Sequence, residues 1–178
     1  MEELGLEDVK KLQIHLTNHF QKYLEAKGKR LMGWNQILDP ELSPQAICQF
    51  WLGNKNKVIE HMKKGGKVIG SNYLSTYLDH PYKIISLKKA YHYEPRFARK
   101  KDNLDEHIIG IEPPLWTERI PNDKRLYHQA FPRLTAYAET AWTPKKSKNY
   151  EIFKEKLKIF LKRLDRLGIN YATTKEAD

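Results

Sequence analysis

Apolar and polar positions along the chain fall into two rhythms. In residues 6–27, Val9, Leu12, Leu16, Phe20, Tyr23 and Leu24 recur at helical spacing and Gly28 follows as a stop, so the pattern predicts an amphipathic helix with those residues on one stripe. Short apolar runs of strand length stand at 29–33, 45–50, 67–71 and 107–111, bounded by turn residues. Between them, residues 55–64 read as a short helix with Val58, Ile59 and Met62 inward, ended by Gly65-Gly66. Residues 72–106 read as a long irregular stretch with short helical turns. Residues 131–142 predict a helix, and 150–167 a final amphipathic one with Phe153, Leu157, Phe160, Leu161 and Leu164 inward and Gly168 as its stop.

Strands alternating with helices argue for an α/β fold with a parallel sheet and right-handed crossovers. No fixed-period repeat or low-complexity segment interrupts residues 1–178, which read as one domain. The 178 residues suffice for a real core but fall short of the roughly 250 typical of a closed eightfold βα-barrel.

Charge and cysteine content narrow the picture only a little. The net charge is +10, much of it in the last third, where Lys145, Lys146, Lys148, Lys154, Lys156, Lys158, Lys162, Arg163 and Arg166 face only Glu151, Glu155 and Asp165. This is read as the solvated face of an outer helix: no nucleic-acid motif accompanies the lysines, and nucleic acid is not an expected partner. Cys48 is the single cysteine, which excludes an internal disulfide. No apolar run is long enough to span a membrane, and Met1-Glu2-Glu3 has neither part of a signal peptide, so no membrane partner is expected and the compartment stays open.

Candidate chemistry collects where the predicted strands end. Trp34, Trp51 and Trp116 occupy such positions, where a flat aromatic suits stacking on a sugar ring; each alone would equally fill a core. Trp142, inside a helix, reads as structural. Tyr77 and Asp79 are two residues apart, which in an extended segment points a phenol donor and a carboxylate acceptor the same way; the spacing is equally that of a surface turn before His80-Pro81. Glu118 stands in the same relation to Trp116. The seven histidines lack metal-ligand spacing, and neither metal nor cofactor is expected.

Several pieces together resemble the β-N-acetylhexosaminidases of glycoside hydrolase family 20. They are Gly33-Trp34-Asn35-Gln36-Ile37-Leu38, Phe50-Trp51, Val68-Ile69-Gly70-Ser71, Tyr77-Leu78-Asp79, Ile109-Gly110-Ile111-Glu112, Leu115-Trp116-Thr117-Glu118, and Phe131-Pro132-Arg133 through Ala138-Glu139 to Trp142. The resemblance implies a (β/α)8 TIM barrel, of which this chain covers about strands five to eight, the C-terminal half. It implies that Trp34, Trp51 and Trp116 wall a pocket for the N-acetylglucosamine ring and acetamide methyl, that Tyr77 donates to the acetamide oxygen, and that Asp79 and Glu118 bind sugar hydroxyls. It also casts Arg133 and Glu139 as a structural charged pair. In such enzymes the substrate's own acetamide is the nucleophile, an exception to the two-carboxylate scheme.

The departures bear on activity. No Gly-Asp-Glu, the family's proton-donor motif, occurs in the sequence, nor does the sugar-binding arginine of the first barrel strand; Gln36 stands where a carboxylate is usual and Thr117 where glycine is common. A general acid is worth about 10²–10⁴-fold in rate, so negligible turnover is expected of this chain alone. Four parallel strands leave two edges, which predicts a homo-oligomer or association with the missing barrel half. Two classes follow: part of a hexosaminidase acting on N-acetylhexosamine-containing glycans, or a non-catalytic carbohydrate-binding or assembly module derived from that barrel.

Overall fold

The computed structural model describes Gly5 and residues 8–178, apart from the side chain of Lys10. The predicted start of the first helix, at Leu6, lies outside the described residues. The chain packs as two compact units, Met1–Gly70 with Pro95–Gly110, and Ser71–Glu94 with Ile111–Asp178.

The first unit holds α1 (Val9–Glu25), β1 (Met32–Trp34), β2 (Ile47–Phe50), α2 (Lys55–Lys63) and β3 (Lys67–Gly70), with β4 (Ile108–Ile111) completing a four-stranded sheet in the order β1-β2-β3-β4. The first two pairings are parallel, with Trp34 opposite Gln49 and Gln49 opposite Ile69. Side chains alternate across a strand, so Cys48, Phe50 and Val68 share one face while Met32, Trp34, Ile47, Gln49 and Ile69 share the other. The first face is sealed: Cys48, Phe50 and Val68 pack with Ile14, Leu38, Leu42, Ala46, Val58, Met62 and Phe97, and the Phe50 and Phe97 rings meet edge to face at 5.2 Å. On the open face, Met32 and, on β4, Ile109 stay about half exposed.

Helix α2 follows the sequence pattern, with the Asn54 side chain accepting from Asn56 N at 2.8 Å. Gly65 then takes a left-handed φ of 90°. Gly66 lies flat on His61: a Cβ there would come within 2.3 Å of the imidazole, which is held by the Ala46 carbonyl at 3.0 Å.

Helix α1 turns most of its apolar stripe outward. Ile14 and Gln21 are its buried residues, whereas Val9, Leu12, Leu16, Phe20 and Tyr23 are exposed. Periodicity locates an apolar stripe but not the surface it covers, and here polar tethers decide: Lys11 pairs with Glu41, Asn18 Nδ2 donates to Glu41 O at 3.0 Å, and Gln21 Nε2 donates to Ser43 Oγ at 3.2 Å.

The second unit is helical: α3 (Tyr73–Thr76), α4 (Leu87–Tyr91), α5 (Asp123–Ala130), α6 (Arg133–Trp142), α7 (Tyr150–Arg166) and α8 (Thr174–Ala177). Phe153, Leu157, Leu161 and Leu164 of α7 pack on Leu78, Tyr82, Leu87, Tyr91 and Tyr137, as the apolar spacing predicted, and its lysines lie outward. The irregular stretch contains α3, α4 and two 3-10 turns. Helices α5 and α8 have no counterpart in the sequence reading. Trp142, read as structural, is 89% exposed because it ends α6 beyond the turns that pack.

Candidate functional site

Each unit assembles its own group of the residues singled out in the sequence. In the first, Trp34 ends β1 and the chain tightens at once into a 3-10 turn, Asn35–Ile37. That turn braces the neighbouring strand end. Asn35 Oδ1 accepts from Trp51 N at 3.0 Å, Asn35 Nδ2 donates to Leu52 O at 2.9 Å, and the Trp51 indole donates to Gln36 Oε1 at 3.2 Å. Both tryptophans are half-buried, at the C-terminal ends of paired parallel strands, and Gln49 is buried on the face that carries Trp34.

In the second unit, Tyr77, Asp79 and Trp116 come together. Leu78 N donates to Pro114 O at 2.7 Å, which fastens the Tyr77–Asp79 segment to the segment that leads into Trp116. The Trp116 indole lies close enough to the Tyr77 hydroxyl to favour the ionised phenol, as an N–H donor does. Tyr77 is only 4% exposed while Trp116 is 44% exposed, a deep polar group under an open aromatic plate. Burial pushes the Tyr77 phenol above its usual range; the Trp116 indole opposes this, and the charges of Asp79 and Glu112 and the nearby Tyr73 add to it. The Tyr73 ring meets Tyr77 edge to face at 5.1 Å, and the His80 ring lies 6.4 Å away. Asp79 has one carboxylate oxygen, Oδ1, buried without a hydrogen-bond partner. Glu118 is not drawn into this group; it sits exposed on a turn two residues beyond Trp116.

The segment carrying Tyr77 and Asp79 is held from below by Arg133. This side chain is fully buried, and its guanidinium donates to the carbonyls of Leu78, His80, Ile85 and Gln129, while its plane lies 4.0 Å from the Tyr82 ring centroid. Gln129 Nε2 adds a bond to Asp79 O at 2.9 Å. The expected pair with Glu139 does not form: Glu139 pairs with Lys156 at 3.3 Å. A planar fork of donors serves several convergent carbonyls better than one carboxylate across a helix, which is why Arg133 turns toward the loop. Among the described residues no cluster of His, Cys, Asp and Glu is arranged to hold a metal ion, and no helix is long and apolar enough to cross a membrane.

The supporting residues were not given roles in the sequence reading. Asn35, Ser71, Glu112 and Gln129 act through bonds to residues 16–50 positions away, a separation at which no local spacing rule operates. Asn35, Ser71 and Glu112 were marked only by their place just after strand ends, and Gln129, inside α5, was not marked at all.

A parallel sheet with aromatic residues at its C-terminal strand ends, followed by helices, is the arrangement of a barrel-type α/β enzyme domain. The profile of glycosyl hydrolase family 20, catalytic domain, matches residues 1–145. The β-hexosaminidase of Porphyromonas gingivalis is 31% identical over 182 residues, covering 96% of this chain and 23% of that protein. That of Vibrio furnissii is 32% identical over 152 residues, covering 78% and 25%. Among solved structures, the GH20 exo-β-N-acetylglucosaminidase of Vibrio harveyi, in complex with N-acetylglucosamine, superposes with a TM-score of 0.84 at 32% identity, covering 98% of this chain and 29% of that one. The GH20 β-N-acetylhexosaminidase of Streptomyces coelicolor gives 0.80 at 25%, covering 93% and 37%. The chain belongs to glycoside hydrolase family 20, and its fold is part of that family's TIM-barrel catalytic domain. It spans about a quarter of the length of the curated β-hexosaminidases just named.

Proposed function

We propose that residues 1–178 form the C-terminal half of the catalytic barrel of a retaining β-N-acetylhexosaminidase, removing terminal N-acetylhexosamine residues from glycans by substrate-assisted catalysis. The observation that carries this reading is the deeply buried Tyr77 phenol fastened beside the exposed Trp116 plate by the Leu78–Pro114 bond. A phenol has a proton to donate, and an acetamide carbonyl is an acceptor of the right size beside an aromatic plate.

In this reading the second unit offers Tyr77 to the acetamide oxygen, the Trp116 face to the sugar ring, and Asp79 and Glu118 to its hydroxyls. The buried, unpartnered Asp79 Oδ1 is the kind of atom a sugar hydroxyl satisfies. Within the first unit by itself, Trp34 and Trp51 are the faces on which a sugar would stack. The acetamide oxygen forms a bond to the anomeric carbon as the glycosidic C–O bond breaks, and the departing oxygen takes a proton from a general acid. Water then adds at the anomeric carbon, gives up a proton, and restores the acetamide. Tyr77 serves this sequence by fixing the acetamide in a near-attack pose, a kind of positioning worth about 7–11 kcal/mol at its best.

No Gly-Asp-Glu stands in the sequence, so this chain alone binds the sugar and does not turn it over. Its edge strands β1 and β4, and the half-exposed Met32 and Ile109, are completed by a second copy or by a polypeptide carrying the other barrel strands.

The test pairs calorimetric titration of N-acetylglucosamine and of glucose into the purified chain with nitrophenol release from a β-N-acetylglucosaminide. Binding of the N-acetyl sugar only, without turnover, is the expected result. Equal affinity for glucose would overturn the acetamide site, and turnover would overturn the inactive-half assignment.

A further inference from the structure

Glu112 is a carboxylate in the Tyr77–Trp116 corner to which the proposed reaction gives no task. It follows β4 directly, as Ser71 follows β3, and β3 and β4 are neighbours in the sheet. Ser71 is fully buried, and its hydroxyl donates to Glu112 Oε2 at 3.3 Å. From these two positions the chain sets out in two segments. One reaches Tyr77 after α3, the other reaches Trp116. The segments meet again at the bond from Leu78 N to Pro114 O, 2.7 Å long. The Ser71–Glu112 bond and the Leu78–Pro114 bond are therefore two rungs of one bracket, and the Tyr77–Trp116 contact sits beside the upper rung.

We propose that Glu112, seated by Ser71, is a positioning residue that holds the Tyr77 hydroxyl against the Trp116 indole and so fixes the direction in which the phenol donates. The inference rests on the sugar-binding reading only for what the phenol donates to. Backbone bonds alone do not fix the meeting point of two irregular segments, because each keeps its soft φ and ψ angles between its ends. A part-buried hydroxyl-to-carboxylate bond at their root removes that freedom where it has the most leverage. The charge has a separate effect, since Glu112 raises the Tyr77 phenol together with Asp79 and Tyr73, against the Trp116 indole. The bond and the charge can thus be removed independently.

The experiment uses the whole chain and reads the Trp116 indole proton and the Tyr77 phenol titration by NMR, assigned with Trp116→Phe and Tyr77→Phe. Glu112→Gln keeps an acceptor for Ser71 but drops the charge. Its indole proton keeps the wild-type shift and slow exchange, while Tyr77 titrates lower. Glu112→Ala and Ser71→Ala lose the rung, so the indole proton moves toward its solvent-exposed value. Ser71→Ala is the mild variant that decides the matter if Glu112→Ala does not fold. An unchanged indole proton in a folded Ser71→Ala or Glu112→Ala chain would overturn the proposal. N-acetylglucosamine titration runs beside it: affinity falls about tenfold in Glu112→Ala, the loss of one well-placed hydrogen bond, and is kept in Glu112→Gln. Failure of the wild-type chain to bind the sugar counts against the sugar-site reading, while the indole signal still decides the role of Glu112.

Discussion

The Trp116 indole stands beside the Tyr77 hydroxyl, an exposed aromatic plate next to a tyrosine that is almost wholly buried. The plate offers an apolar face and the phenol a directed donor. An N-acetyl sugar presents the complement of both. Tyr77→Phe keeps the ring and its contact with Tyr73 but removes the donor. It is expected to lower N-acetylglucosamine affinity about tenfold or more with little change in thermal stability, measured by calorimetric titration and a melting curve.

Arg133 satisfies four carbonyls at once, two of them in the segment that carries Tyr77 and Asp79. Arg133→Met is expected to destabilise the chain by about 3–5 kcal/mol, because buried acceptors are left without donors. Urea unfolding followed by circular dichroism measures this. Arg133→Lys recovers part of the loss, since one ammonium cannot reach all four positions.

His61 is buried between the Ala46 carbonyl and the flat face of Gly66, and burial is the main reason its pKa is lowered. The Ala46 bond opposes that shift, while Lys64 and His107 reinforce it. With the folded value below the unfolded one, the unfolded chain takes up the proton first as pH falls. Stability from this site is therefore intact above about pH 6.5 and declines as the pH drops through and below it. Urea midpoints from pH 8 to pH 5 check the sign, and His61→Gln flattens the slope.

Leu16 and Phe20 stand about half exposed on the outer stripe of α1. Replacing both by glutamate is expected to shift sedimentation toward smaller species while leaving the thermal transition within a few degrees, because neither side chain belongs to the buried core.

Cys48 is wholly buried in the sealed face of the sheet, and burial pushes its thiol up to about 12. An Ellman assay is expected to find almost no reactive thiol in the native chain and one per chain in denaturant.

Much of this molecule was legible before its structure. The four strands and the inward face of α7 follow from local periodicity, and local periodicity is what a sequence displays directly. Helix α1 shows the limit. Its stripe was visible, but Gln21 and Asn18, bound to residues 22 and 23 positions away, chose the other face. Arg133 shows the same limit at the site: the family resemblance suggested a charged pair with Glu139, whereas its partners are carbonyls brought close by tertiary packing. Helix α5 was the avoidable omission, since Asn122 followed by Asp123 is a start signal, and the Asn122 side chain does accept from Arg125 N at 2.9 Å.

The Arg133 clamp also sets an order in time. Leu78 is made 55 residues before the side chain that holds its carbonyl. At ribosomal speeds of roughly 5–20 residues per second, that gap lasts about 3–11 seconds. The segment bearing Tyr77 and Asp79 therefore leaves the ribosome without its support. The corner built on Tyr77 and Asp79 is among the last parts of the chain to take shape, and it does so only when α6 docks.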